Sequence, residues 1–183
     1  MNHLSTTQLK SKITVRDMVI DAMFVSMVMV ATYFIQIPGP SSGGLFHMGN
    51  AVHFTIAIVF GRRRGAISGA LGMALFDLLS PYAMYTPFTF VIRFAMGYVI
   101  GGIAHMNDKE GKNFWYNLSG ILVATVIMLV GYWLTEIIFV GDMYTALIDT
   151  IGGNTMQCIV GAVVSLPLSA VIIKAFRRRK IMM

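Results

Sequence analysis

Arg93 stands inside TPFTFVIRFAMGYVIGG, residues 86–102, a stretch with no other charge. A cation at the centre of a lipid-spanning helix costs about 2.5–3.5 kcal/mol on the insertion scale. Its stem can snorkel to the interface, or the head must face a cavity or a partner. Entering at Pro87, Arg93 lies six residues down, about 9 Å at helical rise. Other polar residues inside apolar runs gather at similar depth. Asp77 closes one run, and Glu136 nears the end of another with Trp133 one turn before it. Asn154 and Gln157 are three apart, as are Asn50 and His53, so each pair shares a helix face. Tyr82, Tyr85 and Tyr144 stand in the loops above them. Packing hydrogen bonds scattered between helices would show no such bias to one side. Aromatic faces with a few placed donors and acceptors are the chemistry of a pocket for a small, flat, hydroxylated heterocycle.

Catalytic constellations are missing. The sequence has no GxxxxGK[ST] phosphate loop, and His47 and His53 are six apart with no HExxH motif, so neither ATP hydrolysis by that route nor a helical zinc site is expected. Ser41-Ser42-Gly43-Gly44 lacks the GxSxG frame of a nucleophile elbow and reads as a flexible loop over the pocket. The single cysteine, Cys158, excludes an internal disulfide and falls in an apolar run, as a buried packing residue would. No catalytic residue, metal or resident cofactor is expected.

The elements that must position these residues are membrane helices. The chain has 183 residues, of which 56% are hydrophobic and 12% charged, with a mean hydropathy of +0.72. A soluble domain carries about a quarter charged residues. Six apolar segments run about 18–37, 45–60, 66–79, 87–104, 118–140 and 151–173. The second and third are short for a span, so a re-entrant hairpin competes with two crossings. Charge decides between them. Lys10, Lys12 and Arg16 precede the first segment, and Arg62, Arg63 and Arg64 divide the second from the third. Lys109 and Lys112 divide the fourth from the fifth, and Lys174, Arg177, Arg178, Arg179 and Lys180 follow the sixth. Thirteen of the fourteen basic residues thus fall on one side of a six-span chain, while loops 38–44, 80–86 and 141–150 hold none. The positive-inside rule then predicts an all-α integral membrane bundle of six helices with both termini cytoplasmic. It would form a single domain, with a cytoplasmic segment 1–16, a bundle 17–175 and a basic tail 176–183. Thr14-Val15-Arg16-Asp17 fits a helix start at the membrane surface, and no cleavable signal peptide is evident. The basic clusters read as topology anchors against the anionic inner leaflet, which disposes of nucleic acid as the partner of the +6 net charge.

Six helices without an evident repeat make a small scaffold for a self-contained alternating-access transporter. The run FHMGNAVHFTIAIVFGRRRGAISGALGMALFDLLSPYAMYTPFTFVIRFAMGYVIGGIA, residues 46–104, resembles the membrane-embedded substrate-binding (S) components of energy-coupling factor (ECF) vitamin transporters, in the riboflavin-type branch. The shared features are an outer loop ending in Gly49-Asn50, a short helix and a Gly-basic-Gly turn. They continue with Gly65-x3-Gly69-x2-Gly72 in a helix ending at Asp77, and a cation on the next helix. The resemblance implies an ABC-type importer subunit in the cell membrane that captures a vitamin outside. A transmembrane coupling protein and two ATPase subunits would do the work and use the ATP. It also implies docking through small residues on the first helix. The nearest match is Ala22 and Ser26, four apart and hence on one face, with Asp21 beside them available to a partner cation. By the same resemblance, Arg93 could brace the pocket against Asp77 or Glu136 instead of reading a ligand. The substrate-binding set is Asn50, His53, Asp77, Tyr85, Arg93, Trp133, Glu136, Asn154 and Gln157. With acids to balance Arg93, an anionic ligand is not required, which favours pyridoxine or hydroxymethylpyrimidine over pantothenate; riboflavin stays open through the resembling branch. Two other classes compete. An intramembrane enzyme lacks its nucleophile or metal here, and a stand-alone facilitator would need no partner.

Overall fold

Thr14 opens the first helix with a capping box. Its hydroxyl accepts from the Asp17 backbone N–H at 3.2 Å, and the Asp17 carboxylate accepts in return from the Thr14 N–H. This is the start signal read from the sequence. The computed structural model describes residues 13–38 and 45–182; Lys10, Lys12 and the Ser41–Gly44 loop lie outside them.

The order is α1 (Val15–Phe34), β1 (Gln36–Pro38), β2 (Leu45–His47), α2 (Gly49–Phe60), α3 (Arg62–Leu78), α4 (Thr86–Ala104), α5 (Phe114–Val140) and α6 (Met143–Met182). Strands β1 and β2 form a three-residue antiparallel ribbon, with Gln36 opposite His47 and Pro38 opposite Leu45. Helix α2 is the hub. Nine of its twelve residues are buried, and it touches α1, α3, α4 and α6. One apolar core, including Phe54, Met96, Ile121 and Met128, joins α2, α4, α5 and α6, and a second, on Val28, Ile56 and Met73, joins α1, α2 and α3.

Four helical stretches are long and apolar enough to cross a membrane: Val15–Phe34, Ala83–Ala104, Phe114–Val140 and Met143–Arg177. Their outer faces carry exposed apolar side chains such as Val30, Val126, Leu134 and Val163, which suit hydrocarbon and not water. The protein is a membrane protein. Helices α2 and α3, with 12 and 17 residues, extend only about 18 and 25 Å.

The corners differ from the sequence expectation in three places. Gly61, at φ 84°, turns α2 into α3 by itself, so Arg62–Arg64 form the first turn of α3 and not the loop. Cations at a helix N-terminus oppose the macrodipole. Carboxylates of α1 offset them: Asp21 meets Arg63 at 2.9 Å and Arg64 at 3.6 Å, and Asp17 meets Arg64 at 3.1 Å. Asp21 is therefore engaged within the chain, contrary to its expected availability to a partner. Second, the outer loop expected over 141–150 shrinks to two residues. Gly141 ends α5 in the left-handed conformation at φ 75°, and Asp142 caps α6 by accepting from the Thr145 N–H at 2.7 Å. The Thr145 hydroxyl and N–H hold the Asp142 carboxyl below the usual carboxylate range. Third, α6 continues through the basic tail to Met182.

Glycines set the α2–α3–α4 spacing. A Cβ at Gly69 would overlap the His53 imidazole, and one at Gly97 would overlap both His53 and the Gly65 backbone. At Gly102, also on α4, a Cβ meets nothing within 4 Å. Gly69→Ala should therefore destabilise by about 1–3 kcal/mol through overpacking, and Gly102→Ala should stabilise by up to about 1 kcal/mol through helix propensity. Thermal unfolding of the two variants in detergent checks this; equal melting temperatures would refute the close packing.

Candidate functional site

Arg93 faces the bundle interior, 2% exposed. Its Nη1 donates to Asn50 Oδ1 on α2 at 2.6 Å, and its Nη2 donates to Gln157 Oε1 on α6 at 3.1 Å. Nη1 also lies 3.3 Å from Met128 Sδ on α5, and the guanidinium carbon stands 5.4 Å from the Tyr132 ring centre. The snorkelling alternative is thereby overturned: the head is held by side chains of α2, α5 and α6. Charge-assisted bonds to amide oxygens and a ring face replace part of the lost hydration. Nε has no hydrogen-bond partner among the described residues.

The expected carboxylate partner is absent from this contact. Among the described residues, no acid lies within ion-pair distance of Arg93. Glu136 instead accepts from the Tyr85 hydroxyl at 2.9 Å, which ties α5 to the turn before α4. Asp77, near the end of α3, is 9% exposed and makes no ion pair with Arg93. The Thr89 hydroxyl is 3.0 Å from the Tyr132 hydroxyl.

The nine expected binding residues therefore divide. Asn50, Arg93 and Gln157 meet directly, and Tyr85 and Glu136 form a second contact. His53 turns away from Asn50 into the glycine-lined contact of α3 and α4, because one turn of α2 presents two different neighbours to residues three apart. Trp133 points toward the start of α6, its Nε1 donating to the Met143 carbonyl at 3.2 Å. Asn154 is half-buried, one turn before Gln157. Ala22 and Ser26 are exposed on α1, and the Ser26 hydroxyl donates to the Ala22 carbonyl at 2.9 Å. This bond folds the serine hydroxyl back onto its own helix, so the position presents a small surface.

Sequence reasoning missed Thr89, Met128 and Tyr132. All three carry the helical spacing that would have found them: Thr89 is four residues before Arg93, and Tyr132 and Met128 are four and eight before Glu136. Cys158 is buried as expected, with its Sγ 3.3 Å from Met128 Sδ and 3.7 Å from Asn50 Nδ2. No group of three or more His, Cys, Asp or Glu among the described residues is placed to hold a metal ion. A groove of about 530 Å³ between α3 and α4, lined by Leu71, Leu75, Leu78, Phe90 and Val91 among others, is apolar and outward-facing. It belongs to the lipid surface and not to the polar cluster.

Comparison with known proteins agrees with this architecture. The chain is 27% identical over 140 residues, 76% of each protein, to the thiamine precursor transporter HmpT of Lactococcus lactis subsp. cremoris strain MG1363. It is 30% identical over 105 residues, 57% of this chain and 68% of the relative, to an uncharacterized protein in the gap 3′ region of Pyrococcus woesei. The family described as ECF-type riboflavin transporter, S component, matches residues 12–174. A match over nearly the whole chain settles membership: this protein belongs to the ECF-type riboflavin transporter S component family.

Proposed function

We propose that this chain is the substrate-capture subunit of an ECF-type ABC importer in the cell membrane, taking up a small water-soluble vitamin precursor. The observation that carries the reading is the convergence of α2, α5 and α6 on the buried Arg93, with hydroxyls and amides around it. The favoured ligand is hydroxymethylpyrimidine, with pyridoxine next. Both are small heterocycles, and the Lactococcus relative named a thiamine precursor transporter supports the first. The proposed binding set is Asn50, Asp77, Tyr85, Arg93, Glu136, Asn154 and Gln157 as hydrogen-bonding groups, Trp133 as an aromatic wall and His53 as packing support. A second reading, an anionic ligand such as pantothenate, draws on one observation: no carboxylate of the described residues is in ion-pair contact with Arg93. Calorimetry on the purified protein separates these. Hydroxymethylpyrimidine should bind tightly, and Asn154→Leu or Glu136→Leu should weaken binding by at least about 1.4 kcal/mol, tenfold. Tight binding of pantothenate or riboflavin without either small heterocycle would overturn the assignment.

The same reading places six spans in the bilayer, both termini in the cytoplasm, and α2 and α3 as short crossings. The charge partition supports it, since the corners at 79–85 and 141–142 hold no basic residue. Cysteines introduced at Ser80 and Asp142 should react with an impermeant thiol reagent from outside. A cysteine at Arg63 that reacts from outside would end the six-span topology.

Transport would need a transmembrane coupling protein and two ATPase subunits, which hydrolyse the ATP. The exposed Ala22 and Ser26 offer a docking face because small side chains let a partner helix approach closely. Ala22→Trp or Ser26→Trp should abolish uptake in cells while leaving ligand affinity of the isolated subunit within about twofold, since both lie on the far side of α1 from the buried cluster. Unimpaired uptake by both variants would remove them from the interface.

A further inference from the structure

Donors from three helices converge on one sulfur atom. Arg93 Nη1 on α4 and Cys158 Sγ on α6 each lie 3.3 Å from Met128 Sδ on α5, and Asn50 Nδ2 on α2 lies 3.8 Å from it. The orientation of the Asn50 amide follows from its other contact. Its oxygen accepts from Arg93 Nη1 at 2.6 Å, so its nitrogen must face the sulfurs. All of these residues are buried, none more than 2% exposed.

The cluster holds more donors than strong acceptors. The guanidinium takes the oxygens of Asn50 and Gln157. The Asn50 amide nitrogen meets Met128 Sδ and, at 3.7 Å, Cys158 Sγ, and sulfur is a weak acceptor. Arg93 Nε has no hydrogen-bond partner among the described residues. A buried donor that meets only a weak acceptor forfeits part of a hydrogen bond, and more of it when the donor is charged. An oxygen or nitrogen atom at the position of the Met128 sulfur would recover that bonding from three directions. A metal ion would not, because the guanidinium and the amide present hydrogens to that point. Methionine is unbranched with rotatable bonds along its length, so its sulfur can move aside without a backbone shift.

Building on the capture-subunit reading above, we propose that the position of Met128 Sδ is the seat of an acceptor atom of the ligand. That atom is a carboxylate or hydroxyl oxygen, or an unprotonated ring nitrogen. Met128 holds the seat with a weak acceptor and rotates away for a stronger one. It is therefore a specificity-determining residue: a ligand edge without a lone pair gains nothing over the thioether and is refused.

The test compares Met128→Leu with Met128→Glu in the purified full chain. The first removes the sulfur at nearly constant volume, and the second places an acceptor-only group of similar length at the same point. Met128→Glu should melt above Met128→Leu, because its carboxylate compensates the buried guanidinium. A packing role alone predicts the reverse order, since a buried carboxylate is then the costlier change. Calorimetry with hydroxymethylpyrimidine, pyridoxine, pantothenate and riboflavin reads the ligand side. Whichever binds wild type should bind Met128→Glu at least about tenfold more weakly, and Met128→Leu as tightly as wild type or more so. A Glu variant that melts below the Leu variant, or fails to fold, overturns the donor surplus. Undiminished binding by Met128→Glu, or an equal loss in Met128→Leu, overturns the seat. Binding of none of the four by wild type overturns the substrate reading above, and the order of melting still decides the acceptor seat independently.

Discussion

Hydrocarbon supplies no hydrogen-bond partners, so the guanidinium of Arg93 has to be satisfied by the protein itself. Much of the architecture answers to that requirement. Its oxygen partners come from Asn50 in the first turn of α2 and Gln157 on α6, and its soft contacts from Met128 and Tyr132 on α5. A 12-residue helix is too short to be held by burial of a long apolar stripe along a bilayer, yet α2 sits at the centre of the bundle. Asn50 fixes its N-terminal end to α4 through Arg93, and Gly65, Gly69 and Gly97 let α3 and α4 close on the rest of it. Charge at one end and close backbone approach at the other thus define where α2 lies.

Helix α3 links the two ends of the bundle. Its first turn carries Arg63 and Arg64, which pair with Asp17 and Asp21 of α1, and its last turn carries Asp77. Three arginines at a helix N-terminus would oppose the dipole without those carboxylates. The pairing therefore does two things. It stabilises the start of α3, and it fixes the rotation of α1, so that Asp21 turns inward while its neighbours Ala22 and Ser26 stay exposed. The exposed small residues of α1 are consequently set in place by the first turn of α3.

Much of this was legible in sequence where a signal was local. The capping box at Thr14, the glycine spacing of α3 and the inward role of Arg93 follow from residue type and helical period. The register Thr89–Arg93 and Met128–Tyr132–Glu136 carries the same period, but tyrosine and methionine in an apolar run do not stand out as polar anchors do. What depended on rotation between helices was not legible. His53 and Asn50 are three residues apart, but α2 is buried on nearly every side, so that one turn meets α3 and α4 with one residue and α4, α5 and α6 with the other. The partner of Asp21 was likewise hidden, since it lies 42 residues away, across a corner whose one-residue length only the backbone of Gly61 reveals.

Among the described residues no acid pairs directly with Arg93, and this bears on what the site can hold. A cation whose oxygen partners are the neutral amides of Asn50 and Gln157 is less stabilised than one in an ion pair, and the start of α2 adds the positive end of a helix dipole beside it. An electron-rich ligand atom therefore gains more at this guanidinium than at one already neutralised.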